Sequence, residues 1–223
     1  MKIKTHIIEF IRFLISMLMI VAIISLCSGM FFHANSWLAV VLYIVPSTII
    51  HNILAVKNPE FLKKRKNTTE DRQTQKKFRA YFLLAYYGML IVSGLDLRFG
   101  WSCLPKSVII IAAIVMLGGQ LILAEVLREN HYAGCAVKKQ ENQKLIDTGI
   151  YGLVRHPLYL SGIITIFSMP LVIGSVYAFL ITLTVPFIYA MRIKDEEIFL
   201  EEELENYKDY KKRVKYRLIP FIW

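Results

Sequence analysis

The chain has 223 residues, 56% of them hydrophobic, and a formal net charge of +10. That apolar fraction exceeds the roughly 45–50% usual in soluble domains, so an ordinary soluble fold is excluded. Cys27, Cys103 and Cys135 are isolated and odd in number, which excludes a disulfide framework or a zinc site.

Four stretches almost free of charge come first: Phe13–Phe32, Trp37–Val56, Ala80–Leu95 and Ser107–Ala124. A hydrocarbon core about 30 Å thick needs roughly 20 helical residues, and these stretches meet that need alone or with their flanks. The N-terminal run is too long for a secretory h-region and has no small-x-small cleavage site after it, so it reads as a first span. A fifth stretch, Leu158–Met191, has no Asp, Glu, Lys or Arg. As one helix it would be about 51 Å long, too long for one crossing. Gly174-Ser175 lies at its midpoint, which predicts a tight helical hairpin, and Pro170 and Pro186 predict kinks in its arms.

Of the 27 Lys and Arg residues, only Arg98 and Lys106 fall in a loop that alternating spans would place outside. This is the positive-inside pattern. It predicts an all-α integral membrane protein with about six transmembrane helices and both termini on the cytoplasmic side. The basic excess then serves topology and attraction to anionic lipid, not nucleic acid. The expected organisation is four N-terminal helices over 1–127, with a basic cytoplasmic loop at 57–79, and a catalytic core over 128–223.

Polar chemistry collects on the cytoplasmic face of the last spans. In "LIDTGIYGLVRHPLYLSG", Leu145 to Gly162, Asp147-Thr148-Gly149 is turn chemistry. Pro157 suits the first turn of a helix, where its missing N–H costs nothing. His156 therefore sits beside a helix N-terminus, which attracts an anion. Tyr159 lies one turn inside, and Gly162 admits a close neighbour. The simple alternative is a basic stop at the membrane boundary, with Arg155 snorkelling to headgroups and Tyr159 as an interfacial aromatic.

Further on, Arg192 and Glu196 are spaced i, i+4 and share a helix face as the last span ends. A tight hairpin returns its far end beside its near end, so His156, Tyr159, Arg192 and Glu196 can meet at one site. The acidic run to Glu205 reads as solvated. Ile198, Leu204, Tyr207 and Val214 form a rough apolar stripe, which predicts a surface-lying amphipathic helix at the C-terminus.

Together, Gly149-x-Tyr151, then Arg155-His156-Pro157-x-Tyr159, then Arg192-x-x-x-Glu196-Glu197, with "ENYKDYKKRV" and "LIPFIW" closing the chain, resemble the isoprenylcysteine carboxyl methyltransferase family. That family lies in a wider group of membrane methyltransferases that includes phospholipid N-methyltransferases. The likeness covers about Gln140 to Trp223, with a weaker echo in "NPEFLKKR" from Asn58. It implies S-adenosylmethionine as cofactor, bound on the cytoplasmic side. Gln140, Lys144, Leu145, Ile146, Tyr151, His156, Pro157, Leu158, Tyr159 and Glu196 match cofactor-binding positions, and Arg192 matches a catalytic, substrate-side residue. One departure is Gln143, where the family often has His; Gln hydrogen-bonds but carries no proton at neutral pH.

The chemistry agrees with that implication. A helix N-terminus with His156 suits the cofactor's carboxylate, and Glu196 suits its ammonium or a ribose hydroxyl. Tyr151 or Tyr159 suits the adenine or the sulfonium. No metal is called for. The acceptor expected is lipophilic and enters from the bilayer, by family default an isoprenylcysteine carboxylate clamped by Arg192. Phospholipid or lipid N-methylation is the nearest alternative. An NADPH-dependent membrane reductase of the steroid-reductase type shares a His-Pro-x-Tyr region. Transport would need polar groups at mid-membrane, for which only Gln120 and Glu125 offer themselves.

Overall fold

The computed structural model describes residues 2–58, 73–133 and 143–223, with the backbone alone at 2–6 and 9. Gln140 and residues 59–65 of the expected motif lie outside the described residues. The described residues form helices and no strands. In chain order these are α1 (Lys2–Ser28), α2 (Ala34–Lys57), α3 (Gln73–Phe99), α4 (Lys106–Glu129), a 3₁₀ turn (Gly149–Gly152), α5 (Pro157–Ile173), α6 (Val176–Thr182), α7 (Val185–Glu203) and α8 (Tyr207–Arg213). Helices α1 to α4 are long and apolar enough to cross a membrane, and so is the run Val176–Glu203. The shorter apolar α5 is the sixth element of the bundle, about 26 Å long for its 17 residues. Outward faces are apolar, with Leu84, Ile114, Leu121 and Phe187 exposed, as a lipid solvent requires.

The expected hairpin forms where its glycine lies. Gly174 caps α5 with a φ of 107°, a left-handed conformation that favours glycine. Ser175 then caps α6 by accepting from the Ala178 N–H at 3.1 Å. Pro170 sits within α5, whereas Pro186 starts a new helix: α6 ends at Thr182 and α7 begins at Val185. A missing N–H is harmless in a first turn. The turn is pinned from α3. Buried Asp96 accepts from the Ser102 N–H and hydroxyl, both at 2.7 Å, and from the Ser175 hydroxyl at 2.5 Å. The shared core sits between α1, α2, α3, α4 and the hairpin, around Val40, Met89, Leu90, Met116, Met169 and Val172.

The polar end carries the difference from expectation. Helix α7 runs unbroken from Val185 to Glu203, and the chain then turns through Asn206, φ 63°, into α8. The apolar stripe is thus cut at Leu204–Asn206. Tyr207, Tyr210 and Val214 form a small core with Leu145, Leu200 and Leu204, while Ile198 faces outward. Helix α8 itself is amphipathic, with both tyrosines buried and Lys208, Asp209, Lys212 and Arg213 exposed.

Candidate functional site

Pro157 opens α5 and buries its ring, and His156 is the N-cap residue. The loop before it is held by the end of the chain. The Arg155 N–H donates to the Tyr216 carbonyl at 3.0 Å and the His156 N–H to the Arg217 carbonyl at 2.9 Å. The Tyr210 hydroxyl donates to the Tyr151 carbonyl at 2.8 Å, and Arg213 pairs with Asp147. These contacts lay the C-terminal segment over the 3₁₀ turn.

Beneath that segment lies a charge cluster centred on Glu197, which is 2% exposed. Its Oε1 accepts from Arg155 Nε at 2.8 Å and lies 3.3 Å from His156 Nε2. Its Oε2 accepts from Arg217 Nε at 3.0 Å and lies 3.7 Å from Lys211 Nζ. Arg155 Nη1 also donates to the Val214 carbonyl at 2.5 Å. Arg155 therefore does not snorkel to headgroups; it is buried in an ion pair. A buried carboxylate is tolerated only when paired and hydrogen-bonded in this way.

One turn further along the hairpin a second cluster forms. The Tyr159 hydroxyl donates to Glu196 Oε2 at 2.6 Å and accepts from Arg192 Nε at 2.9 Å. Tyr159 packs on Tyr189 at 4.8 Å between ring centroids, and Tyr189 stacks on Phe82 of α3 at 5.5 Å. A Cβ at Gly162 would lie 3.1 Å from the Tyr189 hydroxyl, so the close neighbour admitted there is a side chain. The i, i+4 pair on α7 thus reaches Tyr159 from both sides, and the hairpin brings all four expected residues to one end.

Both clusters border one cavity of about 840 Å³. Of the expected site residues, Lys144, Leu145, Ile146, Tyr151, His156, Leu158, Tyr159, Arg192 and Glu196 line it, as does Gln143. Pro157 is not among the lining residues. The cavity runs from this polar end into the bundle, past Tyr43, Ile44, Phe82, Tyr86, Ile166 and Met169. The wall also includes Tyr207, whose buried hydroxyl has no hydrogen-bond partner among the described residues. Burial pushes the Tyr207 phenol up, and the Glu197 and Glu196 carboxylates add to this, so it stays protonated and able to donate. Among the described residues no group of acidic, His and Cys side chains could hold a metal ion.

Residues 107–207 match the phospholipid methyltransferase family. The matched segment includes the 3₁₀ turn, the hairpin, the Tyr159 cluster and, of the Glu197 cluster, Arg155, His156 and Glu197. No curated protein matches the chain.

Sequence reasoning missed three residues. In the sequence Glu197 stands only as the last residue of the Arg192-x-x-x-Glu196-Glu197 motif and at the head of an acidic run, with no role of its own. Its signal was position: it lies one turn after Ile193, which is fully buried. Tyr207 was read only as part of an apolar stripe. Asp96, the acid that holds the hairpin turn, stands at the end of an otherwise uncharged stretch.

Proposed function

We propose that the protein is an integral-membrane methyltransferase that uses S-adenosylmethionine to methylate a lipid-borne acceptor, with its site on the cytoplasmic side. The observation that carries this reading is the cavity, apolar within the bundle and polar and charged at one end, where Lys144, Tyr159, Arg192 and Glu196 come from the segment matched to the phospholipid methyltransferase family. Its volume lies within the roughly 300–1,000 Å³ of ligand sites. The unpartnered Tyr207 hydroxyl and the Glu196 carboxylate suit the hydroxyls and ammonium of such a cofactor, and Lys144 on the same wall suits its carboxylate. Leu145, Ile146, Tyr151 and Leu158 supply apolar and aromatic surface. His156 stands on the wall at the start of α5, and Pro157 acts from behind by setting that start. The cofactor supplies an electrophilic methyl group. The chain supplies alignment, which carries much of the acceleration in an in-line displacement, and an interior that excludes water.

Arg192 stands on the acceptor side. Its Nε is held by the Tyr159 hydroxyl, which fixes the plane of the guanidinium and orients its remaining N–H groups. A carboxylate acceptor, as in isoprenylcysteine, and a phospholipid headgroup both suit it; the family match favours the phospholipid. Purified protein given labelled S-adenosylmethionine and a membrane lipid extract should yield a labelled lipid. S-adenosylmethionine and not NADPH should raise the melting temperature in detergent. Stabilisation by NADPH alone would overturn the reading.

A further inference from the structure

Gln120 lies inside the apolar run of α4, and neither charge cluster uses it. It is 3% exposed and stands on the cavity wall. Its Oε1 accepts from the Ser47 hydroxyl of α2 at 3.2 Å. Its amide nitrogen has no hydrogen-bond partner among the described residues. Among those residues, the side-chain polar atoms that are both sealed from space and unpartnered belong to Gln75 and Tyr207. The Gln120 nitrogen therefore opens onto the cavity.

Thr165 of α5 comes to the same place. A Cβ at Gly119, the neighbour of Gln120, would lie 2.8 Å from Thr165 Oγ1, and Thr165 also lines the cavity. Serines on either side in α5 turn back onto their own helix. Ser161 donates to the Leu158 carbonyl at 2.9 Å and Ser168 to the Ile164 carbonyl at 2.7 Å, which is how hydroxyls in apolar helices satisfy themselves. The Thr165 hydroxyl has no partner among the described residues.

These positions form a layer. Ser47 lies ten residues before the end of α2, Gln120 nine before the end of α4 and Thr165 eight after the start of α5. At about 1.5 Å per residue, each is about 12–15 Å below the polar end. Thr165 follows Tyr159 by six residues, so the layer is about 9 Å deeper than the Tyr159–Arg192 contact. A staple between α2 and α4 would need only the Oε1 bond. It would leave an amide nitrogen and a hydroxyl facing an apolar interior, where unmet donors are costly.

We propose that Gln120 and Thr165 form a specificity-determining subsite that donates hydrogen bonds to a carbonyl oxygen of the acceptor lipid, where its headgroup gives way to its chain. This rests on the methyltransferase reading above and deepens it by naming the linkage selected, whatever the headgroup. With the reacting end held beside Arg192, an ester carbonyl reaches the layer and satisfies both donors. An ether-linked or plain hydrocarbon chain leaves them unpaired, and a site built to hydrogen-bond rejects a ligand that lacks the partner.

The test gives the unaltered protein, Gln120→Leu and Thr165→Val two forms of phosphatidylethanolamine, one with isotopically labelled ester carbonyls and one ether-linked. In the infrared difference spectrum the labelled carbonyl band of bound ester lipid should move to lower frequency with the unaltered protein. The shift should vanish in Gln120→Leu and shrink in Thr165→Val, which keeps the shape of the side chain. The unaltered protein should bind the ester form on the order of tenfold more tightly than the ether form, and this ratio should fall toward one in Gln120→Leu. An unshifted band or equal binding of the two forms by the unaltered protein would overturn the proposal even if a variant misfolds, as would an undiminished ester preference in Gln120→Leu. Failure to bind S-adenosylmethionine with the band shift intact would remove the methyltransferase reading and leave a lipid-carbonyl site. Bound S-adenosylmethionine with an unshifted band would remove the subsite and leave that reading standing.

Discussion

Arg155 and Glu197 lie 42 residues apart and form an ion pair with side chains only 4% and 3% exposed. The pair joins the loop before α5 to the last turns of α7. With Arg217 and Lys211 on the other carboxylate oxygen, it fastens the C-terminal segment over the cavity. Removing one partner leaves the other buried and uncompensated, which typically costs about 3–5 kcal/mol. Glu197→Gln should therefore lower the melting temperature in detergent far more than Glu202→Gln, which changes an exposed carboxylate. Equal melting of the two variants would show that the cluster is not holding the segment.

Glu196 and Tyr207 should affect the cofactor instead. A hydrogen bond to a charged group contributes about 1.5–3 kcal/mol, so Glu196→Ala should weaken S-adenosylmethionine binding on the order of ten- to a hundredfold. Tyr207→Phe removes only the unpartnered hydroxyl and should cost a smaller factor with little change in melting temperature. Calorimetric titration distinguishes them. If Tyr207→Phe binds the cofactor as tightly as the unaltered protein, that hydroxyl does not face it.

Arg192→Lys keeps the charge but loses the planar fork that the Tyr159 hydroxyl orients. Cofactor affinity should stay near its original value while kcat falls steeply, as expected for an interaction made most strongly in the transition state. Loss of cofactor binding with unchanged acceptor kinetics would move Arg192 to the cofactor side.

Asp96 offers a control at the other end of the hairpin. Asp96→Ala strips the Ser175 hydroxyl and the Ser102 groups of their acceptor. Each buried group left unsatisfied costs about 1–3 kcal/mol, so the protein should melt earlier. Its cofactor affinity, measured below that transition, should not change, because the site lies the length of α5 away. A large loss of affinity would mean that the two ends of the hairpin are coupled.

The span pattern and the hairpin were legible because they depend on local chemistry: runs without charge, and a glycine that can take a left-handed turn. The Tyr159, Arg192 and Glu196 cluster was legible too, because helical spacing and a tight turn bring those positions together whatever surrounds them. Glu197 was not. Its neighbours in sequence are charged and its partners come from the loop before α5, from α8 and from the segment after it, so only the folded chain separates it from the solvated acids beside it. The break at Leu204–Asn206 was hidden for a related reason. The apolar stripe continues through it at nearly helical spacing, and Asn206 takes a positive φ that more often marks glycine.

The Arg155–Glu197 pair also imposes an order on synthesis. Arg155 leaves the ribosome before the acid that pairs with it, and Arg155 and His156 leave it before the Tyr216 and Arg217 carbonyls that accept their backbone N–H groups. At roughly 5–20 residues per second, 42 residues take about 2–8 s. During that interval the unpaired Arg155 charge makes entry of this loop into lipid costly. The side chain that later closes the cavity thus first resists insertion of the chain that carries it.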